Sequence, residues 1–152
     1  MLNHKYVAMR TVDASVIINV PPALVLNAFL EQQHLNGWWG VARSLVEPTP
    51  GGLYLLAWKG SGDGFSNINT GIIKSYEPGL YLHIEKFSCF HTGRPIMGPT
   101  ELLLECSPQN SATYLHLRQS GYPPGGDWDW YYNSGAENWP KALQLLKPYL
   151  EG

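Results

Sequence analysis

The sequence predicts an α+β domain in which a curved antiparallel sheet of about seven strands wraps around one long C-terminal helix, with two short helices after the first strand. Two observations carry this prediction. Apolar and polar residues alternate in three late segments, which is typical of antiparallel strands with one face toward a core. The final segment changes to a helical period. Because the sheet must bury its apolar face, we expect this last and longest helix to cover it.

The N-terminal part of the chain predicts one strand and two short helices. Val12 to Val20 is β-branched and apolar, as expected for a strand. Pro21-Pro22 ends the strand and opens a helix over residues 23–30, since proline is tolerated in a first helical turn. A second short helix is predicted over Gln32 to Leu35, closed by Asn36-Gly37.

Six further strands are predicted between the short helices and the C-terminal segment. The clearest of them has Leu80, Leu82 and Ile84 alternating with Tyr81, His83 and Glu85. The stretch Gly60 to Gly64 lacks the lysine of a phosphate-binding loop and is interpreted as a hairpin turn. The predicted strands are 45–47, 53–59, 68–76, 80–90, 100–106 and 114–118.

The C-terminal segment predicts a single helix from Asp127 to Leu150, kinked before Pro140. Its apolar stripe keeps its phase across Pro140, which two unrelated helices would have no reason to do. Trp130 lies off this stripe, so we expect it to pack on a loop, a neighbouring chain or solvent. The preceding stretch, Gly121 to Gly126, is either a gate to a cavity or a plain connector.

Composition excludes several classes of protein. Charged residues make up 14% of the 152 residues and the formal net charge is −2, without a basic run, so no nucleic-acid partner is expected. No apolar run approaches the roughly 20 residues of a membrane span. Met1 to Arg10 lacks the apolar core of a signal peptide. We expect one domain over residues 1–152 in a soluble, cytoplasmic protein.

The two cysteines are expected to be free thiols. A hairpin turning near residues 94–98 would place Cys89 opposite position 101 and Cys106 opposite position 84, about 17 Å apart along the strands. A disulfide needs Cα atoms within about 7 Å. The short run of Cys89 and His91 does not supply the paired ligand spacings of a zinc site, so no metal and no cofactor is predicted.

Several short stretches follow one another over most of the chain: Val16 to Pro22, Leu35 with Trp38-Trp39, Glu47 with Gly51 to Tyr54, Gly71 to Ile73, Glu77 to Gly79, and Trp139 with Leu143, Leu146 and Leu150. In this order they resemble the START-like (SRPBCC) superfamily with its helix-grip fold. Within that superfamily, the chain is similar to the branch named after activators of a heat-shock chaperone's ATPase. Two positions depart from the family pattern: Asn138 replaces the usual glycine before the helix tryptophan, and Pro140 follows that tryptophan.

The resemblance implies a hydrophobic cavity for a small molecule or a surface for a partner protein. We expect non-catalytic binding of a small hydrophobic or aromatic molecule between the sheet and the C-terminal helix. The alternatives are a module that binds a chaperone or another protein, and a cyclase- or dehydratase-like enzyme using the same cavity. A homodimer is compatible with the sequence.

Eight residues are predicted to line the ligand site. Ordinary core packing is the alternative for the tryptophan pair and for the helix residues, and an outer face or a dimer contact is the alternative for the aromatic residues of the sheet wall. Trp38 and Trp39 would close one end, and Tyr54, Leu56 and Trp58 would form the sheet wall, because tyrosine and tryptophan combine a large ring with one polar atom. Trp139, Leu143 and Leu146 would form the helix floor.

No catalytic residue is predicted. An enzyme would need an ionisable side chain in the cavity, and Glu47, His83 and Arg118 are the nearest candidates. His83 and His116 occupy the polar positions of late strands, so a solvated outer face is favoured for both. His34 and His91 are also expected at the surface.

Overall fold

The computed structural model describes residues 8–152. Met1 to Val7, which hold most of the segment considered for a signal peptide, lie outside the described residues. The elements in chain order are β1 (Arg10–Ile18), α1 (Pro22–Asn27), α2 (Gln32–Trp39), β2 (Arg43–Val46), β3 (Leu53–Lys59), β4 (Phe65–Glu77), β5 (Tyr81–His91), β6 (Met97–Gln109), β7 (Ala112–Tyr122) and α3 (Asp127–Glu151).

The strands form one antiparallel sheet in the order β1-β7-β6-β5-β4-β3-β2. Strands β2 to β7 follow one another as a meander, and β1 pairs with β7. The helices α1 and α2 therefore connect one edge of the sheet to the other. The predicted fold class is confirmed, since residues 8–152 form seven strands, two short early helices and a long C-terminal helix.

The core lies between the concave face of the sheet and α3. In β1 the buried residues Val12, Ala14, Val16 and Ile18 alternate with exposed ones, as a strand with one wet face requires. The helix α3 contacts β1, β6, β7 and α2 and buries Trp139, among others, against them. Its observed bounds differ from the predicted ones by one residue.

The start of α3 is stabilised by an acidic side chain. Asp129 accepts a hydrogen bond from the backbone N–H of Gly125 at 2.9 Å, and this contact, together with Arg10, lowers its pKa. Pro140 and Pro148 both lie inside the helix. The kink before Pro140 remains a prediction.

Among the helices within residues 8–152, none combines the length and the apolar character of a membrane span.

The predicted end of the second helix was wrong. The helix continues through Asn36 and Gly37 to Trp39 and ends at Gly40, whose φ of 70° is the left-handed conformation that favours glycine. Gly37 does not end the helix but allows close packing, because a Cβ at this position would lie 2.7 Å from Cε1 of Tyr149. Its lack of a side chain therefore lets the last turns of α3 approach α2.

The predicted pairing of β5 with β6 was also wrong, by four residues. Cys89 lies opposite Met97, and the backbone N–H of Cys106 donates to the carbonyl of Leu80. The turn comes earlier than expected, because β5 ends at His91 and β6 already begins at Met97. The conclusion drawn from the pairing holds, since both cysteines are free thiols.

A β-bulge in β5 reverses which side chains face the core. Leu82 and Ile84 are buried, but the pairing shifts between Ile84 and Phe87, and Lys86 has a φ of 53°. After this point the odd-numbered residues face inward, so Phe87 is buried and Phe90 is 41% exposed. The bulge therefore turns Cys89 and His91 toward α3.

Candidate functional site

A cavity of about 490 Å³ lies between the sheet and the first half of α3. This volume is within the range of about 300 to 1,000 Å³ that is usual for small-molecule sites. The wall residues come from the end of α2 and from β3, β4, β5, β7 and α3. They are Trp39, Trp58, Lys59, Ser66, Asn67, Asn69, Phe87, Cys89, His91, Gln119, Trp130, Tyr131, Ser134, Gly135, Asn138, Trp139 and Ala142.

Three indole rings from three different elements meet at one end of the cavity. The ring of Trp39 lies 5.2 Å from that of Trp58, nearly perpendicular to it, and 5.6 Å from that of Trp139. The indole N–H of Trp58 donates to the backbone carbonyl of Trp39 at 3.0 Å. Trp38 stacks on Trp39 with ring centres 4.7 Å apart and thereby supports it from outside the cavity.

A buried hydrogen-bond network fixes the wall between β7 and α3. Trp139 donates its indole N–H to Oε1 of Gln119 at 2.7 Å. Because an indole N–H can only donate, the amide nitrogen of Gln119 faces the other way, 3.0 Å from both Thr100 Oγ1 and Tyr131 OH. Burial raises the pKa of Tyr131, so its hydroxyl stays protonated at neutral pH. The network orients the Trp139 ring toward the cavity space.

The part of the cavity wall that adjoins Trp58 is polar, and we call it the polar end. Nδ1 of His91 hydrogen-bonds to the side-chain oxygen of Asn67, and because that oxygen only accepts, Nδ1 carries the proton. The ring of His91 lies 5.7 Å from that of Trp130, and the Arg94 guanidinium lies 4.3 Å from the centre of the Trp130 ring. This end also carries Lys59 and Ser66.

The positions of these polar residues follow from strand register. Trp58, Asn67 and His91 lie in one row across β3, β4 and β5, so their backbones are about 4.8 Å apart from strand to strand. A bulge between Trp58 and Lys59 shifts the alternation, so both of these consecutive residues contribute to the cavity wall.

The structure brings three of the eight predicted site residues to the cavity wall: Trp39, Trp58 and Trp139. The other five are buried elsewhere in the core. Trp38 and Tyr54 donate to the carbonyls of Ala28 and Phe29 at 2.8 Å, and so satisfy backbone groups at the end of α1. Leu56, Leu143 and Leu146 are fully buried by neighbouring side chains. Ligand binding by any of the eight stays a prediction.

The sequence interpretation missed the residues of the polar end. His91 was expected at the surface, yet it is half-buried in the cavity wall because the bulge at Lys86 turned it inward. Trp130 was expected to pack on a loop, a neighbouring chain or solvent. It does pack on a loop residue, Arg94, but it also lines the cavity, where its ring lies 5.7 Å from that of His91 at the end of β5.

The ionisable residues named for an enzymatic reaction lie outside the cavity. Glu47 is exposed, His83 pairs with Glu101 at 2.7 Å, and Arg118 pairs with Asp13 at 3.1 Å. The ionisable groups that do line the wall are Lys59, His91 and Cys89, besides Tyr131. Burial raises the pKa of the Cys89 thiol to about 11, which disfavours the thiolate at neutral pH.

A match between the sequence and a family model identifies the family of this chain. The family model described as "Activator of Hsp90 ATPase homolog 1-like protein" matches residues 19–151. The chain belongs to this family. The resemblance to START-like proteins drawn from the sequence is thereby confirmed. No curated protein matches the chain.

Solved structures that share the fold have low sequence identity to this member of the family. Protein MLL2253 from Mesorhizobium loti has a TM-score of 0.76 at 20% identity, over 93% of this chain and 97% of that chain. The Aha1 dimer from Colwellia psychrerythraea has a TM-score of 0.68 at 17% identity, over 93% and 96%. CalU16 from Micromonospora echinospora has a TM-score of 0.68 at 20% identity, over 95% and 76%.

Proposed function

We propose that the protein binds a small molecule with an aromatic or otherwise apolar body in the cavity between its sheet and α3, without transforming it. The observation that carries the proposal is the set of indole rings of Trp39, Trp58, Trp130 and Trp139 around one space of about 490 Å³. Large rings with restricted rotamers offer contact area to a ligand at low entropic cost.

Polar groups at the cavity wall supply orientation. Asn67, Asn69 and Asn138 present amides and Ser66 and Ser134 present hydroxyls, so a ligand can place hydrogen-bonding groups against them. Binding sites for small molecules combine aromatic and apolar walls with placed polar groups that fix the orientation of the ligand.

The direct test is titration with N-phenyl-1-naphthylamine, an uncharged dye that fluoresces in apolar surroundings. We expect saturable binding of one dye molecule per chain. The variant Ser134→Phe places a ring into the cavity from α3 and should weaken binding about tenfold, the equivalent of about 1.4 kcal/mol. Binding that does not saturate would contradict the proposal.

The matched control is Ala136→Phe, which adds the same ring to an exposed position of the same helix, outside the cavity wall. It should bind the dye as the unmodified protein does. Circular dichroism and thermal unfolding of both variants establish that they are folded. If both variants weaken dye binding equally, the dye does not occupy the cavity and the proposal is wrong.

A second candidate function is association with a chaperone, because the family description names an activator of the Hsp90 ATPase. The test is the rate of ATP hydrolysis by the Hsp90 of the same source, with and without a stoichiometric amount of the protein. A stimulated rate supports the role. An unchanged rate together with no comigration in size-exclusion chromatography contradicts it.

Homodimer formation is a further expectation, since the related Aha1 from Colwellia psychrerythraea was solved as a dimer. Size-exclusion chromatography with light scattering tests it. A mass of twice 17.0 kDa would support a dimer, and a mass of 17.0 kDa at high protein concentration would contradict it.

A further inference from the structure

The charge of the cavity wall is opposite in sign to that of the whole chain. The protein carries a formal net charge of −2, yet within residues 8–152 none of the wall residues is an aspartate or glutamate. In the same range the wall carries one cation, Lys59, and one imidazole, His91. A positively charged opening with apolar walls concentrates field lines and favours an anion over a neutral ligand of the same shape.

Lys59 has no ion-pair or hydrogen-bond partner for its ammonium group among residues 8–152. The other cation near this end, Arg94, lies over Trp130 and pairs with Asp127 at 3.6 Å. Lys59 is therefore the cation at the cavity that lacks a counter-ion.

The neighbouring groups complement an anionic head group as well. Nδ1 of His91 is hydrogen-bonded to Asn67, so Nε2 is the ring nitrogen that remains for a ligand, and it donates to an anionic group when the imidazole ring is protonated. Ser66 adds a hydroxyl beside Lys59, since Ser66 lies at the start of the strand that pairs with the end of β3.

From this arrangement we infer that the ligand is an aromatic acid: its ring system lies among the indoles and its negatively charged group lies at the opening beside Lys59, Ser66 and His91. This inference rests on the proposed function and specifies its ligand class.

The experiment compares two dyes with one carbon skeleton, N-phenyl-1-naphthylamine and its sulfonated form, 1-anilinonaphthalene-8-sulfonate. The variant Lys59→Gln should weaken binding of the sulfonate about three- to fivefold, as expected for a partly exposed ion pair. It should weaken binding of the uncharged dye less, because that dye has no charge for Lys59 to attract. Lys59→Arg should retain the affinity for the sulfonate, and raising the salt concentration should reduce the difference between Lys59→Gln and the unmodified protein.

The matched control is Lys74→Gln, which removes the same charge from an exposed position of β4 outside the cavity wall. It should change the affinity for neither dye. The inference is overturned if Lys59→Gln and Lys74→Gln weaken sulfonate binding equally, or if Lys59→Gln leaves it unchanged, while the uncharged dye still binds in the cavity. Failure of both dyes to bind would instead overturn the proposed function itself.

Discussion

The indole N–H of Trp139 and the side-chain oxygen of Gln119 form a buried hydrogen bond of 2.7 Å that joins α3 to β7. Gln119 is 2% exposed, and its amide nitrogen also lies within hydrogen-bond distance of Thr100 and Tyr131. This one side chain therefore forms hydrogen bonds with three other side chains. A polar residue in this position holds the helix against the sheet while leaving the space beside it open. The cavity and the stability of the fold therefore depend on the same contact.

Gln119→Leu should lower the free energy of unfolding by about 1 to 3 kcal/mol, because the indole N–H of Trp139 is left buried without an acceptor. Urea unfolding followed by circular dichroism measures the change. Gln144→Leu, at an exposed position of α3, is the matched control and should have little effect. Equal stability of Gln119→Leu and the unmodified protein would show that the network is not structural.

Gly71→Ala should destabilise the sheet at its bulges. A Cβ at residue 71 would lie 2.4 Å from Cγ2 of Ile84 and 3.2 Å from the carbonyl oxygen of Glu85, both on the strand that carries the bulge. We expect a loss of about 1 to 3 kcal/mol in urea unfolding. Gly62→Ala, where a Cβ would meet nothing within 4 Å, should differ little from the unmodified protein. Similar losses in both variants would refute this explanation.

Gly135→Ala should destabilise the protein even though alanine favours a helix by about 1 kcal/mol. The added Cβ would lie 2.7 Å from the hydroxyl of Tyr122, which is buried and has no hydrogen-bond partner among the described residues. Tyr122→Phe removes that hydroxyl and should restore most of the lost stability in the double variant. A double-mutant cycle in urea measures the coupling, and strictly additive effects would contradict the proposed contact.

Stability should decline as the pH rises above 9. Burial raises the pKa of the Cys89 thiol to about 11 and that of Cys106 to about 12, from an ordinary value of 9.0. Between these pH values the unfolded chain loses thiol protons that the folded protein keeps. The contribution of each buried thiol to the free energy of unfolding is therefore complete below pH 9 and is lost toward pH 11 to 12. By pH 10 we expect the free energy of unfolding to have fallen by about 1 kcal/mol per thiol.

Urea unfolding of the variant Cys89→Ala/Cys106→Ala at pH 7.5, 8.5 and 9.5 tests this prediction. Its free energy of unfolding should fall less steeply with pH than that of the unmodified protein, whatever its stability at pH 7.5. Identical slopes would mean that the thiols are not protected from ionisation by the fold.

The architecture was predictable because its signals extend over many residues. In strands such as β1, buried and exposed residues alternate without interruption, and the apolar stripe of α3 continues through Pro140. Several residues therefore indicate the same structure in each element. The end of α2 was not predictable from Gly37. Glycine is typical of helix ends, but here it makes room for Tyr149, a residue more than a hundred positions away.

The site was less predictable because single backbone irregularities decide which residues line it. The left-handed backbone conformation of Lys86 reverses the alternation of inward and outward side chains in β5. Without this bulge, the period of two would place His91 on the outer face of the sheet. Tyr54, Leu56 and Trp58 share one face of β3, so the pattern did not separate Trp58, on the wall, from the two residues buried in the core. No local signal marks Lys59 as part of the wall.

The most direct measurement of ligand binding between the sheet and α3 is the response of the indole N–H resonances to a bound dye. The protein has six tryptophans, each with one such signal. On titration with N-phenyl-1-naphthylamine, we expect the two-dimensional ¹H–¹⁵N signals of Trp39, Trp58, Trp130 and Trp139 to shift, while Trp128, which is not part of the cavity wall, stays in place. Saturation with no shift at Trp58 and Trp139, or with the largest shift at Trp128, would show that the dye binds elsewhere and that the cavity is not the binding site.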